Sequence, residues 1–342
     1  MDRVKLIHGS GGKESALLIQ NVFSKHFQNE ILNRLEDSAV ISLPDHCSGL
    51  AVSTDSFVVT PLCFPGGDIG RLAVYGTVND VLMSDAKPQY LTCGFIIETG
   101  LSIELLDSIC ASMSSAAKEA GVTIIAGDTK VVEGRDEEGG LMINTSGIGI
   151  IQNSEGIIPA PSGIRPGDAI LVSGNLGDHH AAILSARMGI KNSIKSDCAL
   201  LSPITEALKK EGIKIHAMRD VTRGGLGTVL NELAVSSGIV IEIEEDFIPV
   251  DKKVRAFCGI MGLDPLYMGN EGKMVLAVAP EDEKRAIAYI KGTKIGREAA
   301  LIGYAAEGNK EKNGMAHVIM RTRIGGTIRI DSLFGEGLPR IC

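Results

Sequence analysis

The chain has 342 residues, 44% of them hydrophobic, and carries 34 Lys and Arg against 42 Asp and Glu for a net charge of -8. That length and apolar content exclude disorder and allow about two domains with sizeable cores. The acidic balance excludes a general nucleic-acid surface, which needs clustered Lys and Arg against phosphates. No apolar run approaches the ~20 residues of a membrane span or forms a signal-peptide core, so a cytoplasmic protein is expected.

In chain order, the start is glycine-rich, and "AVISLP" and "GLAVSTDSFVV" then read as strands, rich in β-branched residues between turn formers. "DIGRLAVYGTVNDVLMSDA" reads as a helix whose small residues Ala73, Gly76 and Asp80 share one face open to close approach. "QYLTCGFIIE" is a strand. "SIELLDSICASMSSAAKEAG" is a helix with Ser102 as N-cap and Gly121 at its end. "VTIIAGD" and "LMINTSGIGII" are further strands. Pro159, Pro161 and Pro166 then break the pattern and mark a domain boundary. A second α/β block follows: strand "AILVSG", helices "LGDHHAAILSARMG" and "SPITEALKKEG", the turn "RDVTRGGLG" into helix "TVLNELAVSSG", strands "IVIEIEE" and "KMVLAVA", and helix "EDEKRAIAYIK". Strands "AHVIMRT" and "TIRID" close the fold. The alternation predicts an α/β or α+β enzyme-like architecture.

Four acidic residues, Asp37, Asp55, Asp80 and Asp128, fall at strand ends or on the small-residue helix face. Brought together, they would repel unless a cation such as Mg²⁺, shared with substrate phosphates, neutralised them. "HGSGGKES", residues 8 to 15, is glycine-dense enough for its amides to approach phosphates, without the Walker A spacing. The turn 219–227, with Asp220, is a second polar loop entering a helix, where an anion can bind. Lys130 and Glu271 are acid/base candidates. His179 and His180 are adjacent on a helix and point apart, which argues against joint metal ligation. Seven cysteines are scattered without a C-x-x-C pair, so neither a zinc ribbon nor a disulfide framework is indicated, and Cys342 is the terminal residue.

The segments "HGSGGKES", "STDSFVVTPLCFPGGDIGRLAVYGTVNDVLMSDAKPQYLTCGFIIE", "IIAGDTKVVE", "VSGNLGDHHAAIL", "RDVTRGGLGTVLNELA", "NEGK" and "LPRIC" together resemble, in order along the chain, the HypE family of hydrogenase maturation proteins. That family lies in the ATP-dependent superfamily of aminoimidazole ribonucleotide synthetase, selenophosphate synthetase and thiamine monophosphate kinase. The acidic set is shared across the superfamily and the P-R-I-C ending is specific to the family. The resemblance implies a two-domain aminoimidazole ribonucleotide synthetase-like fold, paired as a homodimer through the N-terminal sheets. It divides the chain into a glycine-rich segment (1–35), an ATP-binding and dimerisation domain (36–155), a C-terminal α/β domain (156–305), and closing strands with a flexible tail (306–342).

It further implies that HypF carbamoylates Cys342, that ATP drives dehydration of the resulting thiocarboxamide to a thiocyanate, and that cyanide passes to iron held by HypC and HypD. By motif, Asp37, Asp55, Asp80 and Asp128 would bind Mg-ATP, and His8, Gly9, Ser10, Gly11 and Gly12 would cover the phosphates. Asp220 would line the same cleft, and Lys130 and Glu271 would help deprotonate the amide. The sequence departs from the family pattern at His180, usually Gly, and at Asp85, usually a small residue. Two other readings stay open from the residues alone: a small-molecule synthetase or kinase of the same superfamily, and a nucleotide-binding scaffold.

Overall fold

The structure, a computed structural model, describes residues 3–10, 12–34, 38–45, 47–134, 138–152, 159–307 and 316–333. Asp37, Gly11 and Cys342 lie outside the described residues. Two compact units divide the chain, Met1–Leu82 with Ala86–Ser154 and Met83–Asp85 with Glu155–Ile341.

The first unit opens with a 3₁₀ turn, Leu6–Gly9, and a helical segment made of α1 (Lys13–Leu18), a π-helical stretch (Ile19–Ser24) and α2 (Lys25–Phe27). The sequence reading gave only a glycine-rich start here. Leu18, Val22, Phe23 and Phe27 fall on one helical face and are buried. The expected strand "AVISLP" is absent, because its β-branched residues find no partner strand. Next come β1 (Gly49–Phe57), the short pair β2 (Cys63–Phe64) and β3 (Gly67–Asp68), and α3 (Ile69–Leu82). Asp68 starts α3 by accepting the Gly70 and Arg71 amides at 2.8 and 3.0 Å. β4 (Lys87–Glu98), α4 (Ile103–Ala120), β5 (Thr123–Val132) and β6 (Leu141–Ile151) complete the unit. Ser102 caps α4 by accepting the Leu105 amide, and Gly121 ends it in the left-handed conformation.

Among the described residues the sheet runs β1-β6-β4-β5, with β4 and β5 parallel and the other pairs antiparallel. α3 and α4 cover one face. Leu91, Cys93, Phe95 and Ile97 of β4 point into that layer and are buried, whereas Leu50, Val52 and Ile96 are exposed on the other face.

The second unit holds β7 (Ala169–Val172), α5 (Asp178–Arg187), α6 (Ser202–Lys210), β8 (Ile215–Asp220), α7 (Gly225–Ser237), β9 (Val240–Glu244) and α8 (Lys252–Met261). β10 (Met274–Val278), α9 (Glu283–Gly292), β11 (Ala300–Ala306), β12 (His317–Arg321) and β13 (Thr327–Ile330) follow. The sheet order is β13-β12-β9-β11-β7-β10-β8, with only β9 and β12 parallel among the described pairs. Ile170, Val172, Leu226, Leu230, Ile241, Val275 and Ile302 form the core between the sheet and α7. β10 is buried along its whole length because it lies inside the sheet between β7 and β8, with both its faces covered.

Candidate functional site

β5 is an edge strand of the first unit's sheet, and the 3₁₀ turn carrying His8 and Gly9 packs on it. The approach is close: a Cβ at Gly9 would stand 2.8 Å from Val131 Cβ and 3.0 Å from the Val131 nitrogen. His8 is buried and its Nδ1 accepts the Lys5 amide at 3.1 Å, while Ser10 Oγ donates to the Ile7 carbonyl at 2.8 Å. Between this turn, the N-terminal helical segment and β5 lies a cavity of about 360 Å³. Phe23, Phe27, Cys93 and Phe95 give it apolar walls, and His8, Gly9, Asp128 and Lys130 line it as well. An apolar cavity of this size with a few convergent polar groups is the usual form of a small-molecule site.

Lys130 and Asp128, two apart on β5, form an exposed ion pair at 3.0 Å. The hydrogen bond from Lys130, with a second from the Thr129 amide, holds the Asp128 carboxyl below the usual carboxylate range. Burial pushes the Cys93 thiol up to about 12, which disfavours its thiolate form.

The other predicted carboxylates are placed elsewhere in the same unit. Asp80 of α3 accepts the Ser53 hydroxyl at 2.7 Å, and Asp55 lies two residues further along the same strand face. The register puts Asp55, Thr145, Cys93 and Gly127 in one row across the sheet, facing the helices. Ser56, Asn144, Gly94 and Asp128 form the next row, facing away. Asp55 and Asp80 therefore lie on the same, helix-covered side of the sheet, while Asp128 stands on the opposite face, three strands or roughly 14 Å from Asp55. Among the described residues no group of three His, Cys, Asp or Glu side chains is arranged to hold a metal ion.

In the second unit, Asp220 ends β8 opposite Met274, and the Val221 amide donates to the Lys273 carbonyl at 2.8 Å. The structure thus sets Asp220 beside the 270–273 turn that carries Glu271. His179 is buried, with Nδ1 2.8 Å from Ser196 Oγ. Burial holds its imidazole down at about 4, so it is neutral and tied into the fold.

The chain matches two family models, the AIR synthase related protein N-terminal domain over residues 35–151 and its C-terminal domain over 165–314. It is 44% identical over 342 residues to the carbamoyl dehydratase HypE of Cupriavidus necator, covering 99% of this chain and 95% of that one. The chain belongs to the HypE family, within the AIR synthase superfamily. A crystal structure of the hydrogenase maturation protein HypE in complex with ATP superposes with a TM-score of 0.92 at 46% identity, covering 98% of this chain and 99% of that one. A HypE–HypF complex structure matches at 0.77 and 42% identity over 92% and 99%.

Within this HypE-family fold, sequence reasoning missed the cavity's apolar walls, Phe23, Phe27 and Phe95. The helical spacing of Leu18, Val22, Phe23 and Phe27 was the available signal.

Proposed function

We propose that this chain is an ATP-dependent carbamoyl dehydratase acting in hydrogenase maturation, with the carbamoyl group carried on its own Cys342. The observation that carries the reading is the cavity at the edge of β5, where the glycine-rich turn meets the Asp128–Lys130 pair. Its apolar depth suits a nucleotide base, and His8 and Lys130 among its lining residues suit phosphates.

The chemistry follows from the leaving group. An amide oxygen leaves poorly, so the thiocarboxamide oxygen attacks the γ-phosphorus of ATP, ADP departs, and one N–H proton is lost. Breaking the C–O bond then expels phosphate as the second N–H proton leaves and the S–C≡N group forms. No protein nucleophile is required. The protein supplies position, charge and proton acceptors, and general base catalysis of this kind contributes about 10² to 10⁴ in rate. Glu271 and Lys130 are the acceptors we assign by motif, and Asp220 lies beside the Glu271 turn within the second unit.

Magnesium would neutralise the phosphates. It commonly keeps several waters and takes only one or two protein carboxylates, which Asp55 and Asp80 fit from the same side of the sheet. Asp37 joins them by motif, and Asp128 acts from the other face beside Lys130. His8 to Gly12 cover the nucleotide. The twelve residues from Asp331 to Cys342 reach at most ~40 Å when extended, enough for a carrier arm. The partners are HypF as carbamoyl donor and the HypC–HypD pair as cyanide acceptor. The exposed apolar face of β1 and β4 supports a homodimer paired through the sheets, and we place the protein in the cytoplasm. Among the described residues no helix is long and apolar enough to cross a membrane.

The test is the mass of the C-terminal peptide after carbamoylation and addition of Mg-ATP, with Cys342→Ala as control. Loss of one water, dependent on ATP and on Asp80, is the expected result. A carbamoylated tail that stays unchanged in protein that binds ATP would overturn the reading.

A further inference from the structure

The 270–273 turn is gripped by a buried ion pair. Lys273 Nζ and Asp197 Oδ2 are 2.9 Å apart, with side chains 9% and 4% exposed. Asp197 uses its other oxygen to accept the Glu271 amide at 3.1 Å, so one carboxylate holds the residues on both sides of Gly272. The Ala199 amide donates to the Glu271 carbonyl at 3.4 Å, and Lys273 Nζ also reaches the Gly272 carbonyl at 3.4 Å. Gly272 lies so close to the backbone of Asp197 and Ala199 that a Cβ would collide with both. On the upstream side Asn270, fully buried, accepts the Gly177 amide at 2.7 Å and donates to the Met268 carbonyl at 3.1 Å. Every residue of the turn is therefore tied to the body of the unit.

Such an arrangement is a poor choice for stability alone. Taking two charges out of water is costly, and an apolar pair of similar volume is often as stable or more so. What the ion pair adds is a fixed geometry for the backbone on both sides of Glu271. Position matters at a reacting centre, where a misplacement of about 1 Å can cost about 10² in rate.

We propose that Asp197 and Lys273 are positioning residues for Glu271: their ion pair sets where the Glu271 carboxylate stands and so tunes proton removal. The inference rests on the proton-acceptor role assigned to Glu271 above. Neither residue touches substrate in this account. Asp220 shares in the effect, since the residue after it is bonded to the Lys273 carbonyl.

The experiment is a double-mutant cycle in the full chain, reading the single-turnover rate of water loss from carbamoylated Cys342 alongside ATP affinity. Glu271→Gln and Asp197→Asn are each expected to slow the step about 10²-fold, with ATP affinity unchanged within about threefold. The double variant is expected to be no more than about threefold slower than Glu271→Gln alone, because Asp197 acts through Glu271. Lys273→Arg keeps the charge and is expected to recover at least tenfold over Lys273→Met. Multiplicative losses in the double variant, or equal rates for Lys273→Arg and Lys273→Met, would overturn the proposal while leaving Glu271 in its role. If Asp197→Asn does not fold, the Lys273 variants combined with Glu271→Gln give the same cycle. A wild-type rate in Glu271→Gln would instead remove the assigned base and the positioning role with it.

Discussion

Asp178 opens α5 with a carboxyl that burial, and secondarily Asp197, push up to about 7 against the opposing pull of Lys273. Its ordinary value is 3.8, so between those two pH values the folded chain binds a proton that the unfolded chain releases. Stability contributed by that proton is present in acid and is lost as pH rises through about 7. Asp178→Asn cannot ionise and escapes the loss. A shift of this size corresponds to ~4 kcal/mol at full strength, and solvent screening of a half-buried group reduces it to about 1–2 kcal/mol. The variant should therefore resist urea better than the parent at pH 8 and match it near pH 4. Equal midpoints at both pH values would show that the carboxyl titrates normally. His179, next along the helix, follows the opposite course: its imidazole is held neutral, so folding favours loss of its proton and acid works against it.

At the scale of elements, α3 matters most because it carries Asp80 to Ser53 of β1. It seats on the sheet through glycines: a Cβ at Gly76 would stand 2.7 Å from Phe57, and one at Gly147 would stand 2.9 Å from both Thr77 and Val81. Gly147→Ala should cost about 1–3 kcal/mol by overpacking, read as a lower urea midpoint. An unchanged midpoint would mean that α3 shifts freely on the sheet. These elements were legible in the sequence because each carries its own period or cap: Ser102 and Gly121 bracket α4, and β4 alternates Leu91, Cys93, Phe95 and Ile97 inward. What escaped had weaker local signals. β8, "IHAMRD", mixes His216, Arg219 and Asp220 into an edge strand, and β11 is built around Gly303 and three alanines. α8 had its signals, an Asp251 cap and Val254, Phe257 and Cys258 on one face, yet it follows "FIPVD", whose proline reads as a loop. For the site, the pairing of Asp128 with Lys130, two apart on one strand, was legible in the sequence. The sheet faces of Asp55 and Asp128 were not, since they depend on register across four strands. Nor was the Asp197–Lys273 pair, whose members are 76 residues apart.

For the whole molecule, the open face of the first unit's sheet is the surface on which the proposed pairing rests. Val52 is 69% exposed, with Leu50 at 46% and Ile96 at 42%, so apolar side chains from β1 and β4 stand on the face the helices leave uncovered. Single exposed apolar residues are ordinary, but a set on one sheet face is the pattern of a surface that another surface covers. In the proposed homodimer a second copy of the chain would supply a complementary apolar face by symmetry, because a two-fold axis matches each patch to itself. Val52→Glu places a charge on that apolar face without touching the helix-covered core. Light scattering should find the parent as a dimer and the variant as a monomer at micromolar concentration. Thermal melting should be concentration-dependent in the parent and flat in the variant, since association stabilises only the folded state. A variant that remains dimeric, with unchanged melting, would assign the assembly to another surface and leave the open face without that role.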